Sequence, residues 1–257
     1  MEPIIPVLLY HSVNTRARGA DAPYTVSPRC FADHIDAIAA SGRDPLLVSE
    51  LAAGLRGERP LPERAVAVTF DDGFADTYGA VEALLARNVA STVYVTSGEV
   101  GAADRLSASQ VAELARLARM EIGAHAVRHR RLDELPEGEV AYEVKASRAA
   151  LEDITQAQVL SFAYPHGAYD RGTRAAVAAA GYQSAAAVKN AVSHDRDDPL
   201  AISRWMVSAG TTSARVAEVL EGKNVPRGWR RERLRTRAYR TVRRQRRRLE
   251  GALPTRC

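Results

Sequence analysis

Cysteine is almost missing from the 257-residue chain. Only Cys30 and Cys257 are present, far apart and one of them terminal, so no disulfide framework is available and the thiols fit a reducing compartment. No apolar run approaches the roughly 18 residues that a membrane-crossing helix needs. The opening residues, Met1 to His11, carry no basic n-region, and Pro3 and Pro6 interrupt their apolar character. They read as a first strand and not as a signal peptide. The expected location is the cytoplasm, or the inner face of the membrane through peripheral contact. A Gly-rich phosphate loop, a Gly-x-Ser-x-Gly elbow and any paired-cysteine motif are lacking, which excludes the chemistries built on them.

What is present is a 46% hydrophobic chain, enough for one sizeable core. Strand patterns cover Ile4–Tyr10, 65–70, Ala90–Thr96, Met120–Ala124, Val159–Tyr164, Ser184–Lys189 and Ala201–Val207. Helices alternate with them. One opens at Ser27-Pro28 with Phe31, Ile35 and Ile38 inward, another covers Val48–Leu55, and a third is capped by Asp76 and runs to about Arg87. Others cover Ser107–Ala118, Glu137–Leu151, Arg171–Ala180 and Ser213–Leu220. This alternation predicts a parallel sheet closed as a distorted (β/α) barrel of about seven strands. No internal repeat and no low-complexity linker precedes residue 224. The expected division is a barrel over 1–223 and a basic helix or tail over 224–257.

The chemistry gathers at strand ends. Val66-Ala67-Val68-Thr69-Phe70 stops at Asp71 and Asp72, followed by Gly73. Adjacent carboxylates repel, so both stay ionised only beside a cation, for which a divalent metal is the most economical candidate. Met120–Ala124 runs into His125 and His129, whose i, i+4 spacing on a helical turn would bring both imidazoles to one ion. Asp72, His125 and His129 together form a two-nitrogen, one-oxygen set with a position left for water. That set suits zinc first, with Fe2+, Co2+ or Mn2+ as alternatives, and suits magnesium or calcium poorly. Ala126 after the first His rules out the zinc-protease motif. His11 and Tyr164-Pro165-His166-Gly167 also sit just past strand ends, on the rim where barrels build active sites.

Thr69-Phe70-Asp71-Asp72-Gly73, then His125-x-x-x-His129, then Phe162-Ala163-Tyr164-Pro165-His166-Gly167 resemble the polysaccharide deacetylase (NodB-homology) family over roughly residues 4 to 208. The resemblance implies Asp71 as general base, Asp72, His125 and His129 as metal ligands, and a sugar pocket shaped by Tyr164, Pro165, His166 and Gly167. The His166 N–H is the expected oxyanion donor. Three departures stand out. Ala126 replaces the usual Ser or Thr after the first His, removing a hydroxyl that steadies the loop. Ala163 replaces an Arg that orients the catalytic Asp, and Arg204 on the last strand is the residue expected to reach Asp71 instead, a surface Arg being the alternative. Finally, the Leu-x-His motif normally found near the C-terminus is matched only by Leu9-Tyr10-His11. Closure makes first and last strands neighbours, so this resembles the circularly permuted branch associated with poly-N-acetylglucosamine deacetylation, with His11 as the acid. His34 reads as a solvated or capping residue.

Residues 227–250 hold twelve Arg against two Glu, so the rest of the chain is net negative although the whole carries +5. Leu234, Ala238, Val242, Gln245 and Leu249 repeat every three or four residues, as in a helix with one thin apolar face. Such a segment suits an anionic membrane surface or polymer, and suits nucleic acid less well. The expected activity is metal-dependent removal of an N-acetyl group from an amino sugar. Without an export signal, a nucleotide-linked, lipid-linked or secondary-metabolite sugar is the expected substrate. The alternatives are deacylation of another amide, such as N-formyl, and an inactive carbohydrate-binding scaffold whose working part is the tail.

Overall fold

In the computed structural model, residues 3–17, 19–229 and 238–243 are described. Seven strands form the barrel: β1 (Val7–Tyr10), β2 (Ala65–Phe70), β3 (Ser91–Val95), β4 (Met120–Ala124), β5 (Ser161–Ala163), β6 (Ser184–Val188) and β7 (Ile202–Met206). All neighbours are parallel. The ring closes because β1 pairs with both β2, at Val7 with Ala67, and β7, at Leu8 with Trp205. The helices are α1 (Pro28–Ala40), α2 (Val48–Leu55), α3 (Thr77–Leu85), α4 (Ala108–Leu114), α5 (Glu137–Thr155), α6 (Arg171–Ala179) and α7 (Ser213–Leu220). Among the described residues, no helix is long and apolar enough to cross a membrane.

The pleat sorts each strand into two faces. Leu8, Tyr10, Val66, Val68, Phe70, Val93, Val95, Ile122 and Ala124 point outward into a layer shared with the helices. Their alternates Val7, Ala67, Tyr94, Ala163, Ala186 and Ile202 fill the barrel together with Leu46, Val48 and Leu51, which plug its lower end. Gly123 is small because a Cβ there would meet the Tyr94 ring at 2.5 Å. Below Tyr94 lies a polar layer: Glu121 accepts from Thr92 Oγ1 (2.9 Å), from the Ser49 N–H at the start of α2 (3.1 Å) and from the Ser161 hydroxyl. The inward parity of each strand, continued one residue past its end, reaches His11, Asp71 and His125, and within β7 it reaches Arg204.

Several sequence expectations are corrected. Ile4–Tyr10 is not one strand, since Pro6 breaks it. Ile4–Ile5 pairs antiparallel with Ser193–His194, and only Val7–Tyr10 enters the barrel. The Asp76 carboxylate makes no cap hydrogen bond. It accepts instead from Ser12 Oγ (2.7 Å), the Val13 N–H (3.1 Å) and Asn14 Nδ2 (3.2 Å), fastening the loop that follows His11. His34 is fully buried, not solvated. Its Nε2 donates to the Thr211 carbonyl (3.0 Å), so Nδ1 accepts from the Tyr10 hydroxyl (3.2 Å).

The basic segment also differs from expectation where it is described. Residues 225–229 pack on the barrel: Lys189 Nζ donates to the Trp229 carbonyl (2.9 Å), the Val192 N–H donates to the Pro226 carbonyl (3.0 Å), and the Gly228 N–H donates to the Val192 carbonyl (2.8 Å). Residues 238–243 form a helical turn whose apolar side faces water, Val242 being 61% exposed, while Arg240 is buried. Leu234, Gln245 and Leu249 lie outside the described residues.

Candidate active site

The two carboxylates at the end of β2 diverge because Asp72 (φ 73°) and Gly73 (φ 70°) are both left-handed, a conformation Asp tolerates better than most side chains. Asp71 keeps the inward direction of Thr69. It meets Arg204, fully buried on β7, in a bidentate pair of 2.6 and 2.8 Å. The guanidinium also donates to Thr69 Oγ1 (3.2 Å) and lies over the Tyr94 ring (5.4 Å). Burial alone would raise the Asp71 pKa, but Arg204 and then His125 outweigh it and hold the carboxyl below its usual range.

Asp72 turns to the two histidines. Its Oδ1 lies 3.4 Å from His125 Nε2 and 3.2 Å from His129 Nε2, and the three ligand atoms fall within 4.8 Å of one another. His125 Nδ1 donates to the Ala163 carbonyl (2.8 Å), which fixes the tautomer and leaves Nε2 as the nitrogen facing Asp72. Asp72 Oδ1 is buried without a hydrogen-bond partner among the described residues. Burial opposes charging His125, yet Asp71 and Asp72 overcome it and raise the pKa. His129 is pushed down to about 4 by burial and by His125 beside it. A pocket of converging lone pairs that favours positive charge fits a divalent cation held by Asp72, His125 and His129.

The helical turn expected between the histidines is absent. Ala126 (φ 61°) and His129 (φ 51°) are left-handed residues of a loop that curls back on itself. Glu143, fully buried on α5, supports that loop, so the hydroxyl missing at Ala126 is not its only anchorage. Its Oε2 accepts from the Val127 and Arg128 N–H groups (2.9 Å each), and Oε1 accepts from Arg128 Nε (2.6 Å). Sequence reasoning missed Glu143. The signal was a carboxylate sharing a helix face with Val140, Val144, Ser147 and Leu151.

His11 lies one residue above β1. Its ring packs on Tyr24 (5.1 Å), and Nδ1 is buried without a hydrogen-bond partner among the described residues. Burial lowers its pKa, against the pull of Asp71 and Asp72. In the third motif only His166 is well exposed. It is left-handed (φ 58°), with its ring 4.4 Å from that of His129. Gly167 is also left-handed, and a Cβ there would lie 2.6 Å from Val188 Cβ. Pro165 is buried, and the Tyr164 hydroxyl donates inward to the Leu200 carbonyl (2.9 Å), so the phenol supports the motif from beneath.

Fold and site together define a closed parallel (β/α) barrel with a carboxylate–imidazole centre on its C-terminal rim. Residues 58–185 match the polysaccharide deacetylase family model, and the chain belongs to that family. Over 218 residues, 84% of this chain and 76% of the other, it is 24% identical to YxkH of Bacillus subtilis (strain 168), itself named as a polysaccharide deacetylase. Its fold is similar to the Streptococcus pyogenes deacetylase PplD solved with acetate (TM-score 0.77, 21% identity, 87% of this chain and 100% of that one). IcaB from Ammonifex degensii is similar too (TM-score 0.75, 24% identity, 85% and 97%).

Proposed function

We propose that the chain is a metal-dependent hydrolase that removes the N-acetyl group from an amino sugar. The observation that carries this reading is the buried pair of carboxylates with separate duties, Asp71 locked to Arg204 and Asp72 facing two imidazole nitrogens. A divalent ion on Asp72, His125 and His129, zinc first, would supply Lewis acidity for a water and for the acetamide carbonyl. Asp71 takes the proton of the attacking water as general base, kept ionised and aimed by the Arg204 fork. The His166 N–H donates to the developing oxyanion. His11 gives its proton to the departing nitrogen, so that water and amide leave as acetate and amine. Tyr164, Pro165 and Gly167 hold the His166 turn that borders the sugar.

The test combines bound-metal measurement with acetate release from free, nucleotide-linked and polymeric N-acetylhexosamines. Expected are about one ion per chain when the three ligands act as one site, loss of acetate release on chelation, and its loss in D71N with the ion retained. Acetate release that survives exhaustive chelation would overturn the reading. Bound metal with no release from any N-acetylated sugar would do the same.

A further inference from the structure

Two acidic side chains that the proposed chemistry does not use are buried directly behind the histidine loop. Asp133 and Glu134 follow His129 by four and five residues, and their side chains are 4% and 2% exposed. Burying two adjacent carboxylates is costly unless cations accompany them. One such cation comes from the far end of the chain: Arg243 Nε lies 3.2 Å from Glu134 Oε1, and its terminal nitrogen lies 3.9 Å from Asp133 Oδ2. One helical turn earlier, the buried Arg240 donates to the Tyr169 carbonyl (3.3 Å). Tyr169 follows Gly167 by two residues and stacks on Tyr164 (4.8 Å). The turn over 238–243 therefore grips two rim loops at once, the one carrying His129 and the one carrying His166, whose rings touch.

We propose that Arg240 and Arg243 are positioning residues, and that the 238–243 turn is a clasp fixing the His129 loop against the His166 loop. The orientation of the turn supports this. Its arginines face the protein while Tyr239 (63% exposed) and Val242 face water, the reverse of a helix docked by hydrophobic burial. Electrostatic attachment also makes the clasp sensitive to ionic strength, because Arg243 is partly exposed.

The full chain tests this through amide exchange, which depends neither on the ion nor on the substrate. In R240A/R243A, amides over 126–136 and 166–170 should exchange about tenfold faster, while those of β2 stay unchanged. Zn2+ affinity, read by chelator competition, should fall about tenfold, the low end for a residue supporting ligands. R243K, which keeps the charge, should restore most of both. In the unmodified chain, raising NaCl from about 0.05 to about 0.5 M should speed exchange in the same two loops. Unchanged loop exchange and unchanged Zn2+ affinity in R240A/R243A would overturn the proposal. Should that variant fold poorly, loops insensitive to salt in the unmodified chain would overturn it as well. Faster loop exchange in R240A/R243A, with no deacetylation by the unmodified chain, would sink the proposed activity and leave the clasp standing.

Discussion

Replacing Arg204 by Met tests the core of the site. The side chain is fully buried and forked onto Asp71 at 2.6 and 2.8 Å. At an effective dielectric of about 20 and a charge separation of about 4 Å, the attraction is about 4 kcal/mol. Removing one partner of a buried pair leaves the other charge stranded, which costs about 3–5 kcal/mol. R204M should therefore lose that much stability by urea unfolding at unchanged m-value. D71N/R204M should recover most of it, because no unpaired charge remains, giving a coupling energy of about 2 kcal/mol or more in the double-mutant cycle. In the deacetylase assay R204M should lose about 10²-fold or more in kcat, since Asp71 no longer has a fixed aim. Destabilisation in D71N/R204M equal to the sum of the single variants would refute the argument, as it would show the two side chains to be energetically independent.

Glu143→Ala strands the Val127 and Arg128 N–H groups, so it should cost about 2 kcal/mol and weaken Zn2+ binding about tenfold by chelator competition. Gly167→Ala forces a methyl to within 2.6 Å of Val188 in a left-handed turn, so a loss of about 2 kcal/mol is expected in urea unfolding, with kcat falling as His166 moves. His34 supplies a pH signature. Burial, against the Thr211 carbonyl, lowers its folded pKa, so the unfolded chain takes up a proton near pH 6.5 that the folded chain refuses. Stability should fall below about pH 6.5, by at most about 1.4 kcal/mol per pH unit from this group, until the folded pKa is passed. Denaturation of H34Q, compared with the parent over pH 4.5–7.5, about the range spanned, should show a shallower decline.

Much of this was legible because the pleat repeats every two residues. Val66 to Phe70 alternates between helix-facing and lumen-facing side chains, and extending the inward series delivers Asp71. The same count on the last strand delivers Arg204 from Ile202, and closure places the first strand beside it. What sequence spacing missed came from backbone conformations that it does not encode. The i, i+4 histidines suggested a helix, yet they meet through left-handed Ala126 and His129. His34 reads as solvated or capping, yet it follows Phe31 by three and precedes Ile38 by four, on the buried face of α1. The charge run near the C-terminus suggested a helix whose arginines face an anionic surface or polymer, but Arg240 is buried against this chain.

The two halves of the centre rest on different kinds of support. Asp71 stands at the top of a column inside the barrel: Glu121 and its hydroxyls lie at the bottom, the Tyr94 ring above them, and the Arg204 guanidinium over that ring at 5.4 Å. Each member is clamped by strands hydrogen-bonded on both sides, so its position is set by the barrel's closure. Asp72, His125 and His129 owe their geometry to left-handed turns and to contacts from outside, Ala163, Glu143 and Arg243 among them. Damage to the column should therefore act on proton transfer, and damage to the loops on ion affinity. A chain built this way can vary its loop anchors, as Ala126 shows, without disturbing the Asp71 carboxylate that the barrel holds.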